Sequence, residues 1–424
     1  MNRLRRLVLI WNQSYLNCQA RSQLPRIKET STDGATPYVD KPDQVQSLAQ
    51  RLNGQRLIAF DTEFLWERTY SPHLGLIQVA DFEQTWLIDP VRLSPKQMQP
   101  LLDVFVAPET LKVAHAVDQD QICLHMAYGV VAEPVLDTAA AAALVGLGDQ
   151  VGLSKLLHHL LRIEIAKGYS RTNWLKRPLS EAMLRYAAED VAHLPKAADV
   201  LSERLGDLGR TDWALELSAR GGHFAQAHFD SNALARKLAD GRRLDATTFS
   251  VLRELIAWRE STAQRSDVPR KWVSEDKILV KLASARPTTP EQLADFRGLG
   301  GIKNANGVNR ILSAIRKGID TPADDYEVAK RKSSTTQTES AALVVLKCFL
   351  NTLAADNQIP VRLLADSDQM VELLRGKFKD VEALRQADIM DARAVDLVGE
   401  DLVAILNGSR GLRIINGAPV QHID

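Results

Sequence analysis

The chain has few cysteines and no long apolar segment. Cys18, Cys123 and Cys348 are its only cysteines, and they form no CxxC pair. An odd number of widely spaced cysteines argues against a zinc or disulfide scaffold and is typical of a reducing compartment. No run of about 18 apolar residues occurs, so no membrane span is expected. We therefore expect a cytoplasmic protein without a membrane partner.

The chain also lacks a net charge, because 53 basic and 53 acidic residues balance. The balance hides an uneven distribution: residues 36–240 carry −6, whereas residues 241–322 carry +6. A polyanionic substrate would be attracted to the +6 segment rather than to the acidic region. The alternative is that +6 over 82 residues is ordinary surface charge.

Asp61 and Glu63 follow the apolar run 57–60, which predicts a buried strand. Because side chains alternate along a strand, both carboxylates leave the same face, about 7 Å apart along the backbone. That spacing suits one shared cation, with Asp61 free to bridge to a second. The preceding strand favours this pair, since α/β sheets gather ligands at strand ends. Acid-x-acid also occurs elsewhere, for example at Asp81/Glu83, Asp118/Asp120 and Asp366/Asp368, and a solvated loop is the ordinary explanation for any single instance.

A second apolar segment, residues 111–114, precedes His115 and Asp120. Asp120 is expected near the start of a helix and is the candidate for a third carboxylate ligand. Asp118 is a competing candidate that sequence spacing does not exclude. His115 is either a hydrogen-bond donor behind the metal ligands or a polar group that closes the strand.

Tyr186 and Asp190 are four residues apart in a segment predicted to be a helix with Ser180 as its N-cap. This spacing places the phenol and the carboxylate on one helix face. A phenol, with a pKa of about 10, is a poor general base at neutral pH, but it can hold and orient an attacking water. The alternative is a tyrosine packed at a helix edge beside a surface aspartate.

Converging carboxylates without a matching buried base suit Mg²⁺, and a pair of such ions supports in-line attack on a phosphodiester. The order Asp-x-Glu, His-x4-Asp and Tyr-x3-Asp resembles the three exonuclease motifs of the DEDD superfamily, Tyr subclass. Residues 70–79 and 177–191 resemble the ribonuclease D family more specifically. The similarity extends from about residue 36 to about residue 410 and so covers most of the chain.

This resemblance implies a ribonuclease H-like α/β exonuclease domain with a mixed sheet, followed by two small all-α HRDC-type domains. It implies two divalent metal ions, Mg²⁺ or Mn²⁺, bound by Asp61, Glu63, Asp120 and Asp190, with Tyr186 as a further catalytic residue. The implied reaction is metal-dependent 3′–5′ hydrolysis of RNA that releases 5′-mononucleotides. The implied substrates are tRNA precursors and other structured RNA 3′ ends, acted on by a monomer.

After Leu244 the strand signals stop, and the segment to Gly300 resembles an HRDC domain. Within it, Trp258 lies on an apolar stripe and is expected in the core. The candidate RNA-binding residues are the basic side chains Arg259, Arg270, Lys271 and Lys303, with Trp272 as a possible stacking group.

The expected organisation has seven segments. They are a poorly structured extension (1–35), the exonuclease domain (36–210), a helical connector (211–240), the HRDC domain (241–322), a linker (323–338), a second, degenerate HRDC-like domain (339–412) and a tail (413–424). The extension is either disordered or the product of a start codon assigned too far upstream. The second helical domain lacks equivalents of Trp258 and Trp272, which favours packing or self-association over RNA binding.

Two other functions remain open at this point. A DNA-directed 3′–5′ exonuclease would use the same motifs, because none of them reads the 2′-OH. A non-catalytic RNA-binding scaffold could keep the fold, although the intact acids and Tyr186 argue against it.

Overall fold

The structure, a computed structural model, describes residues 36–165, 168–169, 172–227, 229–240, 242, 244–299, 305–322, 335–416 and 418–423. The predictions for residues 1–35, for Lys303 and for most of the linker lie outside these residues.

A six-stranded sheet forms the centre of the N-terminal domain. Its strands are β1 (Tyr38–Val39), β2 (Leu57–Leu65), β3 (His73–Ala80), β4 (Thr85–Ile88), β5 (Leu111–Ala114) and β6 (Val135–Asp137), in the spatial order β1-β4-β3-β2-β5-β6. Strand β2 pairs antiparallel with β3 and parallel with β5. The predicted mixed sheet is therefore confirmed.

Helices cover both faces of this sheet. Alternate residues of β2 therefore pack into two different cores. Leu57 and Ala59 belong to one buried cluster, whereas Ile58 and Phe60 belong to another. The surrounding helices are α1 (Pro42–Leu52), α2 (Pro95–Val106), α3 (Asp118–Tyr128), α4 (Thr138–Leu144), α5 (Leu153–Leu161), α6 (Glu181–Ala192), α7 (Leu194–Asp207) and α8 (Thr211–Gln226).

Helix α8 corrects the prediction of a polar connecting arm over residues 211–240. The segment is helical as expected, but Trp213 is only 3% exposed and packs in the core of the exonuclease domain. In addition, the Ser218 hydroxyl accepts a hydrogen bond from the Asp137 amide, at 2.8 Å. Apolar residues at helical spacing attach α8 to the sheet, so only the later part of the segment connects the two domains.

The next helices form a separate core. They are α9 (Ser231–Ala239), α10 (Ala246–Ser266), α11 (Arg270–Val273), α12 (Asp276–Ala285), α13 (Pro290–Ala294) and α14 (Ala305–Asp320). Their buried residues form one cluster in which Trp258 is 7% exposed. The prediction that Trp258 is a core residue is confirmed.

The C-terminal region contains α15 (Gln337–Asp356), a 3₁₀ turn (Val361–Leu363), α16 (Ser367–Arg375), α17 (Val381–Gln386), α18 (Ala392–Leu406), β7 (Arg410–Ile415) and β8 (Ala418–Ile423). Buried residues of this region, such as Leu350 and Leu402, share a core cluster with the exonuclease domain. Arg210 joins the two parts directly, because its guanidinium donates to the carbonyls of Leu144 and Asn357. The expectation that this region serves packing is confirmed.

The predicted boundary at residue 412, between a helical domain and a tail, is wrong because it falls inside strand β7. Strands β7 and β8 pair antiparallel as a hairpin. The missed signal is Asn416-Gly417 between alternating apolar residues, which is typical of a tight hairpin turn. Asn416 has the positive φ, 51°, that such a turn requires.

Helix α15 is long and apolar enough to cross a membrane by length and composition, with a mean hydropathy of 1.3. Its face containing Leu346, Phe349 and Leu353 packs in the shared core, while Val344 and Val345 are exposed. Since a core helix passes the same test, the feature is weak evidence for a membrane span.

Candidate active site

Strand β2 carries Asp61 and Glu63 into the site, both partly exposed, while Thr62 between them is buried. Asp61 lies opposite Gln78 and Glu63 opposite Leu76 on β3, after which the register shifts. Phe64 then pairs with Leu74, which leaves Gly75 as the extra residue of a bulge. A bulge bends a strand and re-aims neighbouring side chains, so the β2–β3 pair changes direction next to Glu63.

Gly75 is required at this bulge because of the space around it. A Cβ on Gly75 would lie 2.8 Å from both Cβ and the carbonyl oxygen of Trp174. Trp174 is fully buried, and its ring centre lies 6.3 Å from that of Tyr186. The bulge is therefore packed directly against the segment that supports the catalytic tyrosine candidate.

Asp120 lies in the first turn of α3 and is 5% exposed. Its Oδ1 accepts hydrogen bonds from the backbone amide of Thr62, at 3.0 Å, and from the Thr62 hydroxyl, at 2.5 Å. Asp120 also lies close enough to Asp61 for its charge to raise the pKa of Asp61. Thr62 thus ties the second motif to the first, a role that the sequence analysis did not assign.

Helix α6 brings Tyr186 and Asp190 to the same place. Ser180 caps the helix as predicted, since its side chain accepts from the amide of Met183. Tyr186 and Asp190 lie one helical turn apart and interact, since each influences the pKa of the other, as the i, i+4 spacing predicted. Tyr169 contacts the other side of the phenol, with ring centres 5.7 Å apart.

The four acids interact electrostatically, and this is the clearest sign that they converge. Burial, followed by the charges of Asp120, Asp190 and Glu63, raises the pKa of Asp61 well above its usual value. Burial, followed by the charges of Asp190 and Asp120, raises the pKa of Glu63 to about 8. Burial also raises the pKa of Asp120 to about 7 and that of Asp190 to about 6. Such crowding of like charges is typical of a functional site.

The donor set fits hard divalent cations, which prefer carboxylate oxygens. Among the described residues, no group of three or more His, Cys, Asp and Glu side chains is arranged to hold a metal ion. Asp120 accepts a hydrogen bond from Thr62, and Asp190 lies beside Tyr186 on the same helix face. The chemistry of the four carboxylates and their mutual repulsion therefore support a cation site, and their side chains would have to turn to form it.

The competing acidic pairs have structural roles. Asp81 accepts from the amides of Glu83 and Gln84, which closes the turn between β3 and β4. Asp366 is the N-cap of α16. Burial, followed by the charge of Asp137, raises the pKa of Asp118. None of the four site acids is among the causes of this shift. Asp120 is thus favoured over Asp118.

His115 corresponds to the strand-closing alternative. Its Nδ1 lies 2.9 Å from the Thr138 hydroxyl, which donates to the Ala114 carbonyl. Burial lowers the His115 pKa, and the nearest acidic influence is Asp137. The predicted role behind the metal ligands is not supported, because the ring faces the ends of β5 and β6 rather than the four acids.

Two supporting features were missed by the sequence analysis. Arg177 donates to both oxygens of the fully buried Asp89, at 2.6 and 2.7 Å, and to the Gly75 carbonyl. This ion pair anchors the segment before α6 on the sheet. Gln78, opposite Asp61, is fully buried, and its amide has no hydrogen-bond partner among the described residues. Both residues lie in the segments that resemble the ribonuclease D family, but nothing in their spacing indicated a role.

The RNA-binding candidates are not equally available. Arg259 is 4% exposed and pairs with Asp276 at 2.6 Å, so its prediction as a phosphate contact is wrong. Arg270 is paired with Glu260 and Tyr70, so its guanidinium is already engaged. Lys271 is exposed, and Trp272 is 54% exposed. Lys303 lies outside the described residues.

Family models agree with this geometry. A 3′–5′ exonuclease model matches residues 37–205, which hold all four acids and Tyr186. An HRDC domain model matches residues 248–315. An exonuclease domain of this type uses divalent metal ions.

The chain also resembles complete proteins. It is 31% identical to ribonuclease D of Granulibacter bethesdensis over 393 residues, which are 92% of this chain and 95% of that protein. It is 31% identical to ribonuclease D of Zymomonas mobilis, over 90% of this chain and 96% of that protein. Among solved structures, Escherichia coli RNase D has the same fold, with a TM-score of 0.72 and 23% identity over 86% of this chain and 99% of that one. The chain therefore belongs to the ribonuclease D family of 3′–5′ exoribonucleases.

Proposed function

We propose that the chain trims structured RNA precursors, tRNA precursors above all, from their 3′ ends and releases 5′-mononucleotides. The observation that carries the proposal is the convergence of Asp61, Glu63, Asp120 and Asp190, since the charges of neighbouring site acids raise the pKa values of Asp61 and Glu63. Precursor RNA presents a single-stranded 3′ end beside a folded body. The exonuclease cleft suits the end, and the separate basic HRDC domain suits the body.

Two divalent cations, Mg²⁺ or Mn²⁺, are proposed to be held by the four acids, with Asp61 shared between them. When bound, they would lower the pKa of the attacking water and neutralise charge on the scissile phosphate. Tyr186 would orient that water through its hydroxyl, while Asp190 holds the phenol. Burial, followed by the charge of Asp190, raises the pKa of Tyr186, so it acts as a neutral hydrogen-bonding group and not as a base.

RNA binding outside the cleft is proposed for Lys271 and Trp272 on α11. Both are exposed, and a flat aromatic ring beside a cation suits stacking on a base next to a phosphate. We also propose that the C-terminal region is a second, degenerate HRDC-like domain in a cytoplasmic monomer. Its helical packing against the exonuclease core supports a structural role.

The test compares matched RNA and DNA oligonucleotides with a single-stranded 3′ end, in Mg²⁺, in Mn²⁺ and in EDTA. Stepwise shortening of RNA from the 3′ end, with 5′-mononucleotide products, is expected only when metal is present. Preferential shortening of DNA would favour the DNA-directed alternative. Binding without hydrolysis of either would favour the scaffold. The Asp61→Asn variant controls for contaminating nucleases.

A further inference from the structure

The tip of the β2–β3 hairpin is held by the HRDC region. The Tyr70 hydroxyl donates to the Glu260 carboxylate, and the Tyr70 amide donates to Asp267 Oδ1 at 3.0 Å. His73 Nε2 lies 2.9 Å from the other oxygen of Asp267. Glu260 and Asp267 lie in and just after α10, so an exonuclease hairpin is bonded to the longest HRDC helix.

Arg270 closes this junction. It donates to both oxygens of Glu260, at 2.6 and 2.7 Å, and to the Tyr70 hydroxyl at 3.0 Å. Its guanidinium also lies 4.7 Å from the ring centre of Tyr70 and 5.7 Å from that of Phe229. Glu260 is 5% exposed, and a carboxylate this buried requires a paired cation. Arg270 is therefore a structural partner of the exonuclease hairpin.

The same hairpin leads directly to the catalytic acids. Glu63 and Tyr70 are separated by only the end of β2 and the loop that follows. The bulge at Gly75 lies between the bonded tip and the regular part of the β2–β3 pair. Because a bulge bends a strand and locally disrupts its ladder, an attachment outside the sheet helps to fix the direction of the hairpin beyond it. The HRDC region supplies that attachment through Tyr70.

We propose that Tyr70, Glu260 and Arg270 are positioning residues for the exonuclease reaction, through which the HRDC domain holds the β2–β3 hairpin and thereby orients Glu63. This inference rests on the proposed function. It assigns to the HRDC domain a role in the rate of the reaction that does not depend on RNA reaching its surface.

The test uses a short RNA oligonucleotide and the full chain. Tyr70→Ala should lower kcat by about 10- to 100-fold with little change in KM, since a displacement of about 1 Å at a reacting centre has an effect of that size. It should also weaken Mn²⁺ binding measured by calorimetry without RNA. The matched control is Lys277→Gln, which breaks the 2.6 Å Lys277–Glu275 ion pair of the same domain, a pair that takes part in none of the hairpin contacts described above; its kcat should match the wild type.

Tyr70→Phe guards against a folding defect, because it removes only the hydroxyl and keeps the ring against Arg270. We expect about a 3- to 10-fold loss of kcat, equivalent to a lost hydrogen bond. If Tyr70→Phe and a folded Tyr70→Ala both kept kcat within about twofold of the wild type, the inference would be overturned. A wild-type enzyme inactive on this RNA would instead reject the proposed function.

Discussion

The charged residues of the exonuclease site and those of the HRDC domain differ in whether they have oppositely charged partners. In the exonuclease site, burial raises the pKa values of all four carboxylates, and the charges of neighbouring site acids raise those of Asp61 and Glu63 further. In the HRDC domain, with its net charge of +6, many cations are neutralised by partners, as in Arg259–Asp276 and Arg270–Glu260.

The comparison shows that net charge is a poor guide to where a substrate binds. The four acids of the reactive site form no ion pair among the described residues, whereas several arginines of the basic domain are paired with its own acids. A few exposed side chains, Lys271 and Trp272 among them, remain available for RNA.

The largest expected effect is that of Asp61→Asn. We expect hydrolysis of RNA to be abolished, because the amide removes the charge that Asp61 contributes to cation binding. RNA affinity should survive. In EDTA the free energy of unfolding of the variant should exceed that of the wild type by about 1 kcal/mol, since one of four repelling charges is lost. Residual hydrolysis above about a few per cent of wild type would reject the role of Asp61.

Tyr186→Phe should slow hydrolysis by about 10- to 1000-fold, as expected for the loss of a group that orients the reacting water. Metal affinity should change little, because the phenol is not one of the proposed ligands. Single-turnover rates and calorimetric metal titration measure the two quantities separately. An unchanged rate of hydrolysis in Tyr186→Phe would show that Tyr186 only packs beside Trp174.

Lys112 contrasts with the paired HRDC cations, because it is fully buried and, among the residues that the structure describes, donates only to the carbonyls of Ala107 and Thr110. Burial lowers its pKa from 10.5 to about 7. Between these values the unfolded chain binds more protons than the folded chain, so this group makes stability rise with pH.

Relative to Lys112→Met, the wild type should gain about 1 to 2 kcal/mol of unfolding free energy between about pH 7 and pH 8.5. Urea denaturation of both proteins at each pH measures this difference. The carbonyls lose their donor at every pH, so that loss cancels. A difference independent of pH would show that Lys112 stays charged in the folded state.

The smallest expected effect separates exposed from buried cations of the HRDC domain. Lys271→Ala should weaken binding of tRNA-sized RNA a few-fold and reduce the log–log salt slope by about 0.7, the value for one phosphate contact. Arg259→Met should lower the melting temperature and leave the slope unchanged. A reduced salt slope of RNA binding in Arg259→Met would show that Arg259 does contact a phosphate. Substitutions are preferable to truncation near residue 240, which would remove residues such as Leu350 from the shared core.

The local signals were sufficient for most elements. An apolar run before Asp61 predicted β2, and Ser180 and Asp137 begin helices as their residue types favour. The Asn416-Gly417 signal was overlooked, although it is as local as the others.

The roles of Arg259 and His115 were hard to predict for one shared reason, which is that a charged or polar residue does not reveal its partner. Arg259 reads as a surface cation until Asp276, 17 residues away, is seen beside it. His115 reads as a neighbour of the metal ligands until Thr138 is found against its ring. Such partners are brought together by tertiary packing, which the spacing of residues along the sequence does not predict.

The sequence by itself determined the chemistry of this protein, because four acids and a tyrosine stand at strand and helix positions whose periodicity sets the direction of each side chain. Only the tertiary structure decided which charges remain unpaired, which domain holds the β2–β3 hairpin and which helices share a core. Those properties depend on contacts between residues distant in the chain, such as Tyr70 with Glu260, and no local pattern encodes them.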